Sequence, residues 1–276
     1  MKKKHGWYYK YDAEESAKRF ILQARILKGI GITIASAMLI LLFLGNSPSD
    51  IKLLIVYLAM IGYFIFTFIL RMQVLDILYM ECDPEKMLKF DSIIETYAKR
   101  EQIKMAYLLR KALVCLYLND KHDEGLEYLK QVDFPKKKFT TEVSRLACYG
   151  AYAYKKNDRE SFDRVQQDME QLPSVMKHNK RQMKIYRTQM EYMQMRELIW
   201  DGKKDEARQL INKLLSEQMN AGGLEINRVV LHMRLAELDM EDGETSNAKV
   251  HLEYVISHGN TLGMVKDAEK ILQSME

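Results

Sequence analysis

The sequence has few of the residues that interrupt helices. Only four prolines and thirteen glycines occur among its 276 residues, and alternation of apolar and polar residues between turn signals is hard to find. A β-rich chain needs many turns and many alternating segments, so this scarcity argues against one. We therefore predict an all-α fold.

Cysteine is rarer still, since the chain contains only Cys82, Cys115 and Cys148. An odd number without a Cys-x-x-Cys spacing argues against a disulfide framework and against a zinc site. The three cysteines recur at an equal interval of 33 residues. We interpret them as buried residues at equivalent positions in successive repeats.

Familiar catalytic motifs are absent. The sequence contains no His-Glu-x-x-His, no phosphate-binding Gly-x-x-x-x-Gly-Lys, no Gly-x-Gly-x-x-Gly and no Gly-x-Ser-x-Gly. The six histidines are scattered, and no third ligand completes a metal set around His251 and His258. We predict no catalytic, metal-binding or cofactor-binding residues, and hence a protein that is not an enzyme. An active site of an unfamiliar type remains the alternative.

An excess of one charge is lacking as well. The net charge is +4, and acidic and basic residues are mixed beyond residue 72. A nucleic-acid-binding protein needs a basic stripe or patch, and none is visible. We therefore expect no nucleic-acid partner.

Two long apolar runs stand out against this background. The stretches Gly29–Gly45 and Leu53–Leu70 contain no charged residue, and only Asn46–Lys52 separates them. A helix rises about 1.5 Å per residue, so each run reaches roughly 26 Å, near the thickness of a bilayer core. The pattern predicts a transmembrane helical hairpin over residues 29–71. A cleaved signal peptide is disfavoured because the first run begins late. Two buried core helices of a soluble protein would both have to be apolar on every face.

The charges that flank the hairpin predict its orientation. Residues 1–28 carry eight lysines and arginines, whereas the connecting loop carries only Lys52. The positive-inside rule then places the N-terminus and the C-terminal domain in the cytoplasm, as in an integral two-span membrane protein. Residues 1–28 form a basic juxtamembrane segment with aromatic residues at Trp7–Tyr11. It either lies on anionic lipid of the bilayer or is a partly disordered tail that only sets the topology.

Beyond residue 72 the apolar pattern has a helical period with regular polar breaks. Each break has one apolar-periodic helix before it and another after it, and the unit repeats every 35–45 residues or so, which is typical of a solenoid. The breaks lie at 82–86, 119–124, 156–161, 201–207 and 242–248. We expect the second span to continue past Arg71 into the first of these units.

These units resemble the tetratricopeptide repeat. The best match is Leu198–Leu214, with Gly202 at the turn and Ala207 early in the second helix; Gly243 and Ala248 match in the next unit. The resemblance implies that residues 72–276 form an α-solenoid of tetratricopeptide-like helical pairs, closed by a C-terminal capping helix at 264–275. Two units depart from the pattern, with Gly125 in place of alanine and Phe162 where a small residue is expected. An α-solenoid of generic divergent repeats is therefore the alternative.

The resemblance also implies a binding surface, because in tetratricopeptide arrays the first helices line a concave groove that holds peptides or partner helices. Matching positions to the turn glycine gives the residues expected to bind a partner: Lys111, Asn119, Tyr154, Lys155, Gln189, Tyr192, Arg196, Trp200, Met233 and Glu237, with Ile199, Val230 and Met240 beside them. Aromatic and arginine side chains are favoured at protein-binding surfaces.

Together these features predict a membrane-anchored scaffold or adaptor that binds a protein or peptide partner through a cytoplasmic groove. A membrane-bound peptide sensor would use the same groove for a smaller ligand. The rival hypothesis is an accessory subunit of a larger membrane transport or secretion complex, in which the hairpin packs on other membrane helices.

Overall fold

In the computed structural model, which describes residues 7–44, 50–220 and 223–275, every regular element is an α-helix. This confirms the prediction of an all-α chain for the described residues. The twelve helices within them are α1 (Ala13–Leu44), α2 (Asp50–Tyr79), α3 (Pro84–Glu95), α4 (Glu101–Cys115), α5 (His122–Lys130), α6 (Phe139–Lys155), α7 (Arg159–Val175), α8 (Lys180–Trp200), α9 (Lys204–Asn220), α10 (Glu225–Glu241), α11 (Thr245–His258) and α12 (Gly263–Ser274). Most of the loop expected between the two apolar runs, residues 46–49, lies outside the described residues.

Helices α1 and α2 are long and apolar enough to cross a membrane, and little of their surface is covered. Only 6% of the most apolar stretch of each helix is buried inside the protein. Large side chains such as Ile55 and Phe64 are about 60% exposed. A core helix of a soluble protein is mostly buried, so the core-helix alternative does not describe this pair.

The N-terminal segment packs on the protein from residue 7 onward. Tyr8 is fully buried, with its ring centroid 6.4 Å from that of Phe90 in α3, and Phe20 of α1 reaches the same ring at 5.7 Å. The Lys86 Nζ donates a hydrogen bond to the Tyr8 carbonyl at 2.7 Å. Helix α1 then continues without a break across residue 28. The described part of the segment is therefore a packed element, unlike a disordered tail.

Helix α2 joins the apolar hairpin to the rest of the chain without a linker. It is one helix from Asp50 to Tyr79, and its last turns place Val74, Ile77 and Leu78 in a core shared with α3, α10, α11 and α12. As expected from the sequence, the second apolar run therefore continues directly into the first helical pair.

The later helices form pairs joined by tight turns at the predicted breaks. Four of the predicted breaks hold a residue with positive φ: Cys82 (53°), Asn157 (55°), Gly202 (68°) and Gly243 (78°). Such a backbone is unstrained for glycine and tolerable for asparagine. Behind the two glycine turns, Ala207 and Ala248 are completely buried, which lets the paired helices approach closely.

The C-terminal helix and the turn before it contact the first helical pairs. Gly263 N–H donates to the Tyr117 carbonyl at 2.7 Å, and Asn119 Nδ2 donates to the Gly263 carbonyl at 3.1 Å and to Asp267 Oδ2 at 2.9 Å. Asn260 Nδ2 also donates to the Glu81 carbonyl at 2.9 Å. Helix α12 therefore does more than cover the last pair. Its apolar face packs into the same core as α2 and α3, which brings the last helices into contact with the first. The first helices of the pairs line a cavity that is partly open to solvent.

Candidate functional site

The inner cavity is a space of about 290 Å³ bounded by α4, α6, α8, α10 and α12. Helix α4 contributes an apolar wall of Leu109, Leu113 and Leu116. The aromatic lining consists of Tyr79, Tyr117, Tyr154 and Tyr192, and Met264 of α12 also reaches the cavity. The fold therefore forms a recess that is apolar on one side and polar on the others.

Three basic side chains line the inner cavity: Lys155, Arg196 and Arg234. No aspartate or glutamate is among the described residues that line it. Arg234 pairs with Glu237, which lies outside the lining, at 2.5 Å. Both guanidinium groups lie near the Tyr154 ring, with Arg196 at 6.0 Å and Arg234 at 5.4 Å from its centroid. The ring face provides weak cation–π stabilisation.

Arg196 lacks an acidic partner within the part of the chain that is described. Its single hydrogen bond runs from Nη1 to the Tyr192 carbonyl, at a long 3.5 Å. Burial, and then the charge of Arg234, lower the pKa of Arg196. The same two causes lower the pKa of Lys155. Burial disfavours the charged form of a basic group, and a neighbouring positive charge adds to the effect.

Another polar group of the cavity lining is also unpartnered. Tyr192 is 8% exposed, and its hydroxyl is buried without a hydrogen-bond partner among the described residues. Burial raises the pKa of this phenol, so it stays a neutral donor. A buried hydroxyl without a partner costs free energy that a bound ligand or water can recover.

An outer cleft of about 430 Å³ adjoins the inner cavity and shares Tyr154, Lys155 and Arg234 with it. Trp200 borders this cleft, 4.8 Å from the Tyr154 ring. The cleft differs from the cavity in charge, because Glu237 and Asp267 both line it.

Most of the residues expected to bind a partner surround these two spaces. Tyr154, Lys155, Gln189, Tyr192 and Arg196 line the inner cavity, as does Val230. Asn119, Trp200, Met233 and Glu237 line the outer cleft, together with Tyr154 and Lys155. Ile199 and Met240 line neither space.

Lys111, also expected to bind a partner, lies in neither space. It is 6% exposed, its Nζ bonds to Glu95 Oε2 at 2.6 Å, and it lies 4.4 Å from the Tyr128 ring centroid. The lysine instead holds α4 against α3 and α5.

Arg234 is the main residue that sequence reasoning missed. Matching to the turn glycine pairs Glu237 with Arg196, since each lies six residues before its glycine. A second signal was present: Asn227, Val230 and Arg234 on α10 repeat the spacing of Gln189, Tyr192 and Arg196 on α8. Both triplets line the inner cavity. The spacing of residues along one helix face therefore indicates the lining better than the distance to the turn glycine does.

The cavity also contains a cysteine with little reactivity. Cys148 is 2% exposed, and burial raises the pKa of its thiol. Burial likewise raises the pKa of Cys115 to about 12. Because the thiolate is the reactive form, neither residue is a good nucleophile. All three cysteines are buried, as expected from their equal spacing.

A cluster of histidines lies between α10 and α11. The Nδ1 atoms of His232 and His251 are 2.9 Å apart, and the Tyr254 ring stacks between His232 at 3.9 Å and His258 at 4.1 Å. Nowhere among the described residues do three or more histidine, cysteine or acidic side chains gather to hold a metal ion. The cluster is therefore a packing feature that also titrates.

This cluster predicts a loss of stability in acid. Burial, helped by the charges of His251 and His258, lowers the pKa of His232 from 6.5 to about 4. Between these pH values His232 is protonated in the unfolded chain but neutral in the folded chain. The free energy of unfolding therefore falls as the pH falls from about 6.5 to 4. We expect His232 to account for about 3 kcal/mol of this loss at most, because the ring is only partly buried.

The measurement is the free energy of unfolding of the full chain in detergent from pH 7 to pH 4. His232→Phe keeps the ring stack on Tyr254 and removes the titrating group, so its profile is expected to be flatter than that of the parent. Glu225, Arg228 and Asp239 remain around the site in both proteins. His178→Gln, at an exposed position, is the control. Parallel profiles for the parent and His232→Phe would contradict the prediction.

Comparison with known proteins finds no matching family model, no similar curated protein and no similar solved structure.

Proposed function

We propose that this chain is a membrane-anchored, non-catalytic binding protein. In this proposal α1 and α2 cross the bilayer as a hairpin. The helical domain lies on the cytoplasmic side and receives a short segment of a protein or peptide partner at the outer cleft and inner cavity. Its helical pairs are divergent tetratricopeptide-like repeats, an assignment supported by the positive φ of Gly202 and Gly243.

The observation that carries the proposal is the convergence of aromatic and basic side chains on one recess. Tyr154, Tyr192, Arg196 and Trp200 come from two different helical pairs and surround the cavity and its adjoining cleft. Aromatic and arginine residues in partly desolvated recesses are the usual anchors of recognition. Arg196 has no ion pair among the described residues, so its charge is available to a ligand.

The membrane anchor is supported by the exposed apolar surface of both helices and by the lysines and arginines before the first run. An uncharged hairpin carries no group for ion or proton transport, which suits an anchor. A cysteine introduced at Ser47, between the apolar runs, is expected to react with a membrane-impermeant thiol reagent from outside intact cells. A cysteine at Glu269 in α12 is expected to react only after permeabilisation; the reverse pattern would overturn the orientation.

Site-specific photocrosslinking in native membranes tests the binding role. A photoreactive amino acid at Gln189, in the cavity lining, is expected to capture a discrete partner, and Arg196→Gln is expected to abolish that capture. The same probe at exposed Arg164 is the control. Capture of the same species from both positions, or capture that survives Arg196→Gln, would contradict the proposal.

The alternative is an accessory subunit of a larger membrane complex. One observation favours it: residues of both α1 and α2, among them Leu27, Gly31, Ala35, Tyr63 and Thr67, line a cleft of about 470 Å³. Small residues in such a cleft permit a further membrane helix to approach. Replacing residues 29–71 with an unrelated two-span hairpin separates the two functions, since an adaptor keeps its partner and an accessory subunit loses its complex.

A further inference from the structure

We propose that the inner cavity binds a small organic dianion, a phosphate monoester or a dicarboxylate carried on an apolar body. This proposal uses the same cavity as the proposed function and names a ligand for its interior. It depends on four features of the cavity: its charge, its unpartnered polar groups, its walls and its size.

The charge of the cavity lining favours an anionic ligand. Lys155, Arg196 and Arg234 line the cavity, and Glu237 neutralises only Arg234. Lys155 and Arg196 have no carboxylate within ion-pair distance among the described residues. Arg196 is partly buried, and a partly buried charge without a nearby counter-charge has a cost in free energy that a bound anion offsets. Lys155 is exposed at the rim of the cavity and adds a second positive charge, so that the two together match a dianion.

The hydrogen-bond donors of the cavity lining also favour an anionic ligand. Among the described residues the guanidinium of Arg196 makes only one long hydrogen bond, which leaves most of its donors for a ligand. The planar guanidinium matches a carboxylate or phosphate in a bidentate contact. Gln189 and Asn227 line the same cavity and supply neutral donors.

The walls and the volume define the rest of the ligand. Leu109, Leu113 and Leu116 form a continuous apolar surface on α4, whereas the arginines lie on α8 and α10. A space of about 290 Å³ is at the lower end of the range of small-molecule sites. The site therefore suits a compact molecule with an anionic end and an apolar end.

The charge of the outer cleft favours a small anion over an acidic peptide. A peptide chain that continues from the cavity into this cleft approaches the carboxylates of Glu237 and Asp267. Like charges at short range destabilise such a complex. A small anion that lies wholly inside the cavity avoids them.

The test uses Trp200 as a reporter. The chain contains two tryptophans, so Trp7→Phe leaves only Trp200, whose ring lies 4.8 Å from that of Tyr154. The full-length variant in detergent is titrated with phenyl phosphate, with phthalate and with uncharged benzamide as the control. We expect a saturable change in Trp200 fluorescence with at least one of the two anions, and at least tenfold weaker binding of benzamide. The stronger of the two anions identifies phosphate or carboxylate as the preferred group.

Two substitutions make the result specific. Arg196→Gln is expected to weaken anion binding at least tenfold, and Arg196→Lys to restore part of it with an unchanged circular dichroism spectrum. Lys213→Gln removes a cation paired with Glu191 on the surface and is expected to change nothing. Equal binding of benzamide and the anions, or equal affinity in Arg196→Gln, would overturn the proposal.

The remaining outcomes separate this proposal from the proposed function. Arg196-dependent binding of an Asp/Glu-rich hexapeptide, without binding of phenyl phosphate or phthalate, would overturn the small-anion proposal in favour of an acidic segment. Partner capture at Gln189 without anion binding would leave only the proposed function standing. Anion binding without partner capture would leave only the small-anion proposal.

Discussion

Replacing Gly125 with alanine is expected to destabilise the helical domain by about 3 kcal/mol. A Cβ atom at this position would overlap the Tyr152 hydroxyl and come within 2.5 Å of Cys115 Cβ. That hydroxyl is fixed by its 2.6 Å hydrogen bond to the Ala112 carbonyl, so it cannot move without losing the bond. Alanine is favoured over glycine in a helix by about 1 kcal/mol, and the overlap outweighs this gain.

The readout for Gly125→Ala is the melting temperature of the full chain in detergent, with an expected fall of roughly 6–12 °C. Gly150→Ala, in α6, is the matched control, because its Cβ would meet only the flexible Met193 Cε at 3.2 Å and the Val165 and Met193 atoms beyond it. Adding Tyr152→Phe to Gly125→Ala removes one overlapping atom and is expected to restore stability in part. An unchanged melting temperature in Gly125→Ala would contradict the close contact between Gly125 of α5 and Tyr152 of α6.

Replacing Asp91 with alanine is expected to cost roughly 3–5 kcal/mol, because it leaves a largely buried arginine without its counter-charge. Asp91 is completely buried and accepts two hydrogen bonds from Arg110, one of them at 2.7 Å from Nε. This pair joins α3 to α4, where the apolar hairpin meets the helical pairs. The guanidinium also lies 4.9 Å from the Tyr107 ring centroid, which is too weak a contact to replace a carboxylate.

Two comparisons make the Asp91 result specific, again by unfolding of the full chain. Glu160→Ala breaks the Arg164–Glu160 pair, which is 67% and 84% exposed, and is expected to cost no more than about 1 kcal/mol. The double variant Asp91→Leu with Arg110→Met removes both charges and is expected to recover most of the loss. If Asp91→Ala costs as little as Glu160→Ala, the buried pair does not hold α3 and α4 together.

Local sequence patterns predicted the helices well, since the apolar period and the polar breaks depend on neighbouring residues. The turns at Gly202 and Gly243 and the buried alanines behind them were visible in the sequence for this reason. The departure at Gly125 also has a structural reason: the Tyr152 hydroxyl from the next pair occupies the space of a methyl group. That contact joins positions far apart in the chain, so the sequence alone showed only the departure.

The contact between the last helices and the first was not predictable from these patterns. It depends on bonds such as Asn119 to Gly263, which join residues 144 positions apart. An apolar face on α12 suits a terminal cap and a closing helix equally well. Lys111 lies outside both spaces and Arg234 was not among the residues expected to bind a partner, while Tyr192 and Arg196, in the most regular pair, line the inner cavity.

The most direct test of the account is whether α12 meets the turn between α4 and α5. Cysteines at Asn119 and Asp267, whose side chains are 2.9 Å apart, are introduced into the full chain in native membranes with a short bifunctional thiol reagent. The account predicts rapid intramolecular crosslinking for this pair and none for Asn119→Cys combined with a cysteine at exposed Glu160. Absence of the Asn119–Asp267 crosslink, with both cysteines reactive singly, would mean that the array is open and that the basic cavity does not exist.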